Sequence, residues 1–159
     1  MDYFLEHEGS LTPADAVAAV IVQDNGTYLM QLRDQKPGIF YPGHWGLFGG
    51  AIEKGERPEA ALWRELEEEL HLAPSSIRYL TEFTFDYGSS GRISRYFYEA
   101  RMSNIPFNKL MLQEGADVRA FTASDILNRP RIVPYDAFAI WLHARGTLQP
   151  DASFINQSK

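Results

Sequence analysis

The chain has 159 residues, 45% of them hydrophobic and 23% charged, which suits one globular domain with a sizeable core. It contains no cysteine, and this excludes a disulfide scaffold, a thiolate zinc site and a cysteine nucleophile. The formal net charge of −6 disfavours duplex nucleic acid as a partner and asks for a local cation, a metal or placed arginines, wherever an anionic substrate is to bind. The first ten residues, MDYFLEHEGS, carry no basic segment followed by an apolar run, so no secretory signal is expected. No stretch approaches the ~18 apolar residues of a membrane span. The expectation is a cytoplasmic protein with no membrane partner.

Residues 1–15 read as an irregular extension. Ala16 to Asp24 form an apolar, β-branched run, followed by Asn25-Gly26 and then TYLMQLRD, and two such runs joined by Asn-Gly predict a hairpin. Gln35 to Gly46 hold Pro-Gly turns and aromatics and read as a loop that continues through LFGGAIEKGE. Pro58 to Leu70 predict the best helix in the chain, with proline in its first turn and Glu59 at the positive end of the helix dipole. Ile77 to Gly88 alternate like a strand, SSG turns it, and RISRYFYEAR returns as its partner. NIPFNKLM reads as a loop running into a strand edge. ADVRAFTA reads as a short strand and SDIL as a short helix capped by Ser124. Pro134 to Gly146 predict a last helix, bounded by proline and glycine. A polar tail, 147–159, follows. No repeat or linker divides 16–146, so one domain is expected. Its strands come in hairpins and outnumber the helices, which argues for a mixed sheet with helices packed on it and against a doubly wound parallel sheet.

The segment WRELEEEL, residues 63–70, crowds glutamates into two helical turns. Like charges at neighbouring helical positions cost roughly 0.2–0.5 kcal/mol per pair. At about 100° per residue, Glu68, Glu65 and Glu69 fall about 40°, 100° and 140° from Arg64, on one face. Leu62, Leu66, Leu70 and Trp63 form an adjoining apolar stripe expected to pack on the sheet. Ala61 falls inside the charged face, where a small side chain leaves room for an approaching group. Glu67 points away and reads as solvated. A divalent cation converts the repulsion among three carboxylates into binding, because carboxylates are hard oxygen ligands. The Arg64 fork can orient one of them.

Upstream, Gly50 is followed by Glu56, then by Arg64-Glu65-Leu66, Glu68-Glu69 and Leu72. This spacing closely resembles the Nudix box, G-x5-E-x7-R-E-U-x-E-E-x-G-U, where U is bulky and aliphatic. His71 stands where that pattern has glycine. A glycine just past a helix adopts a positive φ at little cost, whereas histidine does so with some strain, so a local adjustment is expected and not loss of the site. The resemblance is sharpest over residues 50–72 and extends more loosely over Val17 to Leu142. It implies an α/β (α+β) architecture, a Nudix-like α/β/α sandwich around a mixed β-sheet. It also implies a pyrophosphohydrolase that cleaves the diphosphate linkage of a nucleoside diphosphate joined to a further group X. A nucleoside triphosphate or a nucleotide sugar is the favoured substrate, and Mg²⁺, or alternatively Mn²⁺, the cofactor. By the same resemblance Glu68 and Glu69 bind metal, Glu65 is a further ligand or the base, and the Gly49 carbonyl completes the coordination. Gly50, Glu56 and Arg64 shape the loop before the helix. A later acidic residue often joins the site; the candidate is Glu114, set against the plainer reading of a turn carboxylate. Many members are dimers, so a homodimer is one arrangement implied. The alternative function is a non-catalytic domain that senses or binds a nucleotide metabolite, for which His71 is the one motivating feature.

Outside the box, Tyr41 and Trp45, with Phe40, either stack a nucleobase or pack the loop onto the core. Arg33 and Arg95 either meet phosphate or form surface ion pairs. His44 and His143 are not expected to be ligands, since magnesium prefers oxygen.

Overall fold

A computed structural model of the protein describes residues 13–71, 73–86, 88, 91–103, 115–129 and 131–146. In chain order the elements are β1 (Ala16–Gln23), β2 (Tyr28–Leu32), β3 (Trp45–Gly46), α1 (Pro58–Leu70), β4 (Ser76–Asp86), β5 (Arg92–Met102), β6 (Asp117–Phe121), α2 (Ala123–Leu127) and α3 (Pro134–Gly146). The strands form one six-stranded sheet in the order β3-β2-β1-β5-β4, with β6 also on β2. β1 runs parallel to β5, from Ala16 opposite Arg95 to Gln23 opposite Met102, and the remaining pairs are antiparallel. The sheet is therefore mixed, as the sequence predicts.

β1 is apolar from Ala16 to Val22 because both faces of the sheet are covered. Its alternate side chains divide between two cores. Val17, Ala19 and Ile21 join Leu62, Leu66 and Leu70 of α1. Ala18, Val20 and Val22 join Ile126 of α2 and Ala139 and Ile140 of α3. The result is the α/β/α sandwich.

The Asn-Gly signal locates the first hairpin correctly, although the loop has three residues and not two. Gly26 donates to the Gln23 carbonyl at 2.8 Å, Gln23 N–H donates to Thr27 O at 2.9 Å, and Gly26 takes φ +79° in the left-handed bulge position. Beyond this hairpin β2 diverges from β1, and residues 45–51 fill the fork. β3 pairs with β2 through Gln31–Gly46 and Leu32–Trp45. The chain then crosses to β1, where Ala19 N–H donates to Phe48 O and Val17 N–H to Gly50 O, both at 2.9 Å. The end of the expected loop is thus tied into the sheet, and the two glycines are held beside α1.

Three expectations need correction. Trp63 is 39% exposed, whereas Ala61 and Glu69 are buried, so the covered arc of α1 is rotated toward the charged face. Ala61 is small enough for the helix to bed down there, and protein fills the room it leaves. The cap of α2 is Thr122, which forms a reciprocal capping box with Asp125; Ser124 lies inside the helix.

Candidate functional site

Helix α1 starts at Pro58 after an extended Arg57 and ends at His71, which takes φ 51° and ψ 37° and donates its N–H to Glu67 O at 3.0 Å. Histidine thus adopts the left-handed conformation that glycine would supply, and α1 keeps its length and direction. An L-residue in that conformation costs roughly 1–2 kcal/mol.

Arg64 is the hub of one half of the site. Its Nε and one terminal nitrogen donate to the two oxygens of Glu56 at 3.0 and 2.9 Å. It also reaches Glu65 at 2.7 Å, Glu68 at 3.4 Å and the Ala51 carbonyl at 3.0 Å. The Arg64 hydrogen bonds, joined by one from Glu53 N–H, hold the Glu56 carboxyl below its usual range. Glu65 lies against the glycine loop: a Cβ on Gly50 would come within 2.5 Å of its carboxylate. A Cβ on Gly49, at φ +133°, would run into the Val17 carbonyl. Gly49 is therefore required by close backbone approach, and a larger residue at Gly50 would displace the Glu65 carboxylate.

Glu69 belongs to the other half. Only 5% exposed, it accepts the Gly49 N–H on Oε2 at 2.9 Å and the Gln31 side-chain amide on Oε1 at 3.0 Å. It lines a cleft of about 130 Å³ together with Gln31, Arg33, Asp34, Lys36, Ile39, Gly49 and Gly115. Lys36 pairs with Asp34 at 3.5 Å, so the cleft holds two cationic side chains and two carboxylates, one of them the buried Glu69, an arrangement that can hold an anion beside a cation site.

The structure therefore gathers Glu56, Glu65 and Glu68 around Arg64 and turns Glu69 toward the cleft. Among the described residues, no group of three or more acidic or imidazole side chains already converges on one point. The donor set nonetheless fits a hard divalent cation, because it is all oxygen and Gly50, without a Cβ, leaves room for the Glu65 carboxylate beside the loop. Glu114 lies outside the described residues; its neighbour Gly115 lines the cleft.

The other candidates separate clearly. Arg33 lines the cleft and donates its Nε to Phe40 O at 2.8 Å. Tyr41 and Trp45 are in the packed interior, Tyr41 edge-on to Tyr135 and Trp45 edge-on to Phe121. Arg95 is half-buried, sits over the Tyr135 ring at 5.0 Å and pairs with the buried Asp136 at 3.3 Å. Its Nε is buried and has no hydrogen-bond partner among the described residues. Arg95 also lines a second cavity, walled by Phe40, Phe85, Ile93 and Tyr135. Neither histidine is near the carboxylates: His143 is bound between Tyr28 and Glu99, and His44 to the Pro42 carbonyl.

Sequence reasoning missed Gln31, Lys36 and Asp136. Asp136 is 1% exposed and accepts the Leu47 N–H at 2.9 Å as well as Arg95. A signal existed for Gln31, a polar residue in register with the core-facing Leu29 of a buried strand.

Comparison with known proteins agrees with this geometry. Residues 12–141 match the family described as NUDIX domain. The chain belongs to the Nudix family. It is 44% identical over 54 residues to a nucleoside triphosphatase NudI from Escherichia coli, a match that covers 34% of this chain and only 38% of that relative. A MutT Nudix hydrolase from Burkholderia pseudomallei superposes with TM-score 0.65 at 27% identity, over 82% of this chain and 97% of the other. Shewanella oneidensis NrtR, in complex with a 27mer DNA, superposes with TM-score 0.64 at 26% identity, over 84% of this chain and 61% of the other.

Proposed function

We propose that this Nudix domain is a metal-dependent pyrophosphohydrolase that cleaves the diphosphate linkage of a nucleoside diphosphate joined to a further group, a nucleoside triphosphate or a nucleotide sugar. The observation that carries the reading is the cleft that Glu69, held by the Gly49 N–H, lines together with Arg33, Asp34 and Lys36. The names of the NudI and MutT relatives support the same reaction class.

Glu65, Glu68 and Glu69, with the Gly49 carbonyl, would hold Mg²⁺ or Mn²⁺. When bound, the metal neutralises phosphate oxygens and lowers the pKa of a coordinated water. Arg33 and Lys36 receive the anionic phosphates and set their direction. Arg64 keeps Glu65 in place from behind. Attack by water forms one P–O bond as the bridging P–O bond breaks, and the attacking water gives up its proton to a base, for which Glu65 and Glu114 are the candidates. The nucleobase enters the cavity walled by Phe40, Phe85 and Tyr135. Tyr41 and Trp45 support this wall from the core and do not stack on the base.

The working unit is residues 16–146, flanked by 1–15 and 147–159. We read it as cytoplasmic and as acting on small nucleotides, not on duplex nucleic acid, in keeping with its net charge of −6. No helix among the described residues is long and apolar enough to cross a membrane. The sensing alternative is disfavoured, because the box carboxylates are intact and His71 supplies the backbone conformation expected of glycine.

The test is incubation with Mg²⁺ or Mn²⁺ and a panel of nucleoside triphosphates, nucleotide sugars and dinucleoside polyphosphates, with products separated by mass. Metal-dependent release of a mononucleotide from one class supports the reading. Tight ligand binding without turnover overturns it.

A further inference from the structure

Gln31 is 5% exposed and sits on β2, on the same face as Leu29, which packs against α1, and opposite Val118 of β6, which packs on the same core. An apolar side chain would fill that space without a polar group to satisfy. The orientation of its amide follows from its neighbours. Nε2 stands 3.0 Å from Glu69 Oε1 and 3.4 Å from the Leu47 carbonyl, and both of those atoms are acceptors, so the nitrogen must face them. Oε1 turns toward Gly115, where a Cβ would come within 2.9 Å of it. Glu69 therefore receives one donor on each oxygen: Gln31 from β2 and the Gly49 N–H from the glycine loop. Two donors from two different elements fix both the plane and the direction of the carboxylate.

We infer that Gln31, which lies outside the box, is a positioning residue that presents Glu69 to a divalent cation. This rests on reading Glu69 as a metal ligand. Partners of this kind orient a ligand before the ion arrives, and removing one typically weakens metal binding or activity by about 10–100-fold.

The experiment is direct Mn²⁺ binding to the full chain, measured by the electron paramagnetic resonance of free Mn²⁺, on wild type, Gln31→Met and Glu69→Gln, with thermal unfolding of each metal-free protein alongside. Gln31→Met keeps the length of the side chain and loses the donor. We expect Mn²⁺ affinity to fall about 10–100-fold. We also expect hydrolysis that is impaired at low Mn²⁺ and recovers at saturating Mn²⁺, a rescue that a purely structural defect would not show. If Gln31→Met fails to fold, Gln31→Asn, which keeps the amide and withdraws it by one methylene, carries the same expectation. Wild-type Mn²⁺ affinity in either variant, with affinity lowered in Glu69→Gln, overturns the role of Gln31 alone. Unchanged affinity in Glu69→Gln removes the ligand reading of Glu69, and the inference with it.

Discussion

Glu99 is a buried carboxylate away from the cleft, on β5, and receives three hydrogen bonds: from Arg101 at 2.8 Å, Arg78 at 2.8 Å and His143 at 2.6 Å. Burial alone would push its carboxyl up, but the bonds from Arg101, His143 and Arg78 more than reverse this and hold it at about 2. Its folded pKa lies below the unfolded value of about 4.3, so its contribution to stability is complete above that value and is lost as the pH falls toward 2. The contribution is on the order of 2–3 kcal/mol. Urea unfolding at a series of pH values between 5 and 2 should show stability falling with acid, and Glu99→Gln should flatten that fall. A variant with the wild-type slope would show that other carboxylates govern acid unfolding. Reading at this scale from sequence was uneven. Glu68 and Glu69 follow from box spacing, whereas Glu99 resembles any other charge on an alternating strand until β5 pairs with β1 and α3 covers it.

At the scale of the element, α1 was legible almost to the residue, because proline marks its start and the leucines keep a helical period. Which arc of α1 the sheet would cover was not legible. A helical wheel ranks directions, but the contact is set by how closely β1 approaches, and Ala19 and Ala61 allow a close approach. That is why Ala61 is buried and Trp63 is not. β3 has only two residues and no periodicity to read; it exists because β2 and β1 diverge and leave backbone groups to be paired. The end of α1 yields its own prediction. His71 is in the left-handed region, so His71→Gly should relieve strain and stabilise the protein by about 0.5–1 kcal/mol, net of the flexibility that glycine adds to the unfolded chain. Chemical denaturation measures this, and a destabilised His71→Gly would mean that the imidazole contributes more through Glu67 than the backbone loses.

Across the whole molecule, the site is assembled by the fork in the sheet. β2 carries Gln31 with Arg33 just past its end, the segment crossing from β3 to β1 carries Gly49 and Gly50, and α1 carries the carboxylates. The sequence displayed the carboxylates because a single helix spaces them. It hid Gln31 and Lys36 because topology, not spacing, brings them to the cleft, and Asp136 because only the fold sets it against Leu47 and Arg95. Asp136 joins the layers: it ties the first turn of α3 to the Leu47 N–H just before the glycine loop and neutralises Arg95 inside the fold. Asp136→Ala would leave the Arg95 guanidinium buried beside Tyr135 without its carboxylate. The expected cost is about 3–5 kcal/mol, read as a lowered urea midpoint. A loss below about 1 kcal/mol would show that Arg95 reaches water and that this corner is not dry.

The central claim is that the carboxylates of α1 hold the metal that drives cleavage of a nucleoside diphosphate linkage. The most direct measurement compares wild type with Glu68→Gln, assayed side by side on the best substrate of the panel with saturating Mg²⁺. Glu68 is exposed and its replacement removes one charge, so the variant should fold as wild type does. The account predicts a rate lower by about two orders of magnitude or more, with the thermal transition unchanged. A Glu68→Gln protein that hydrolyses the substrate at the wild-type rate would contradict it.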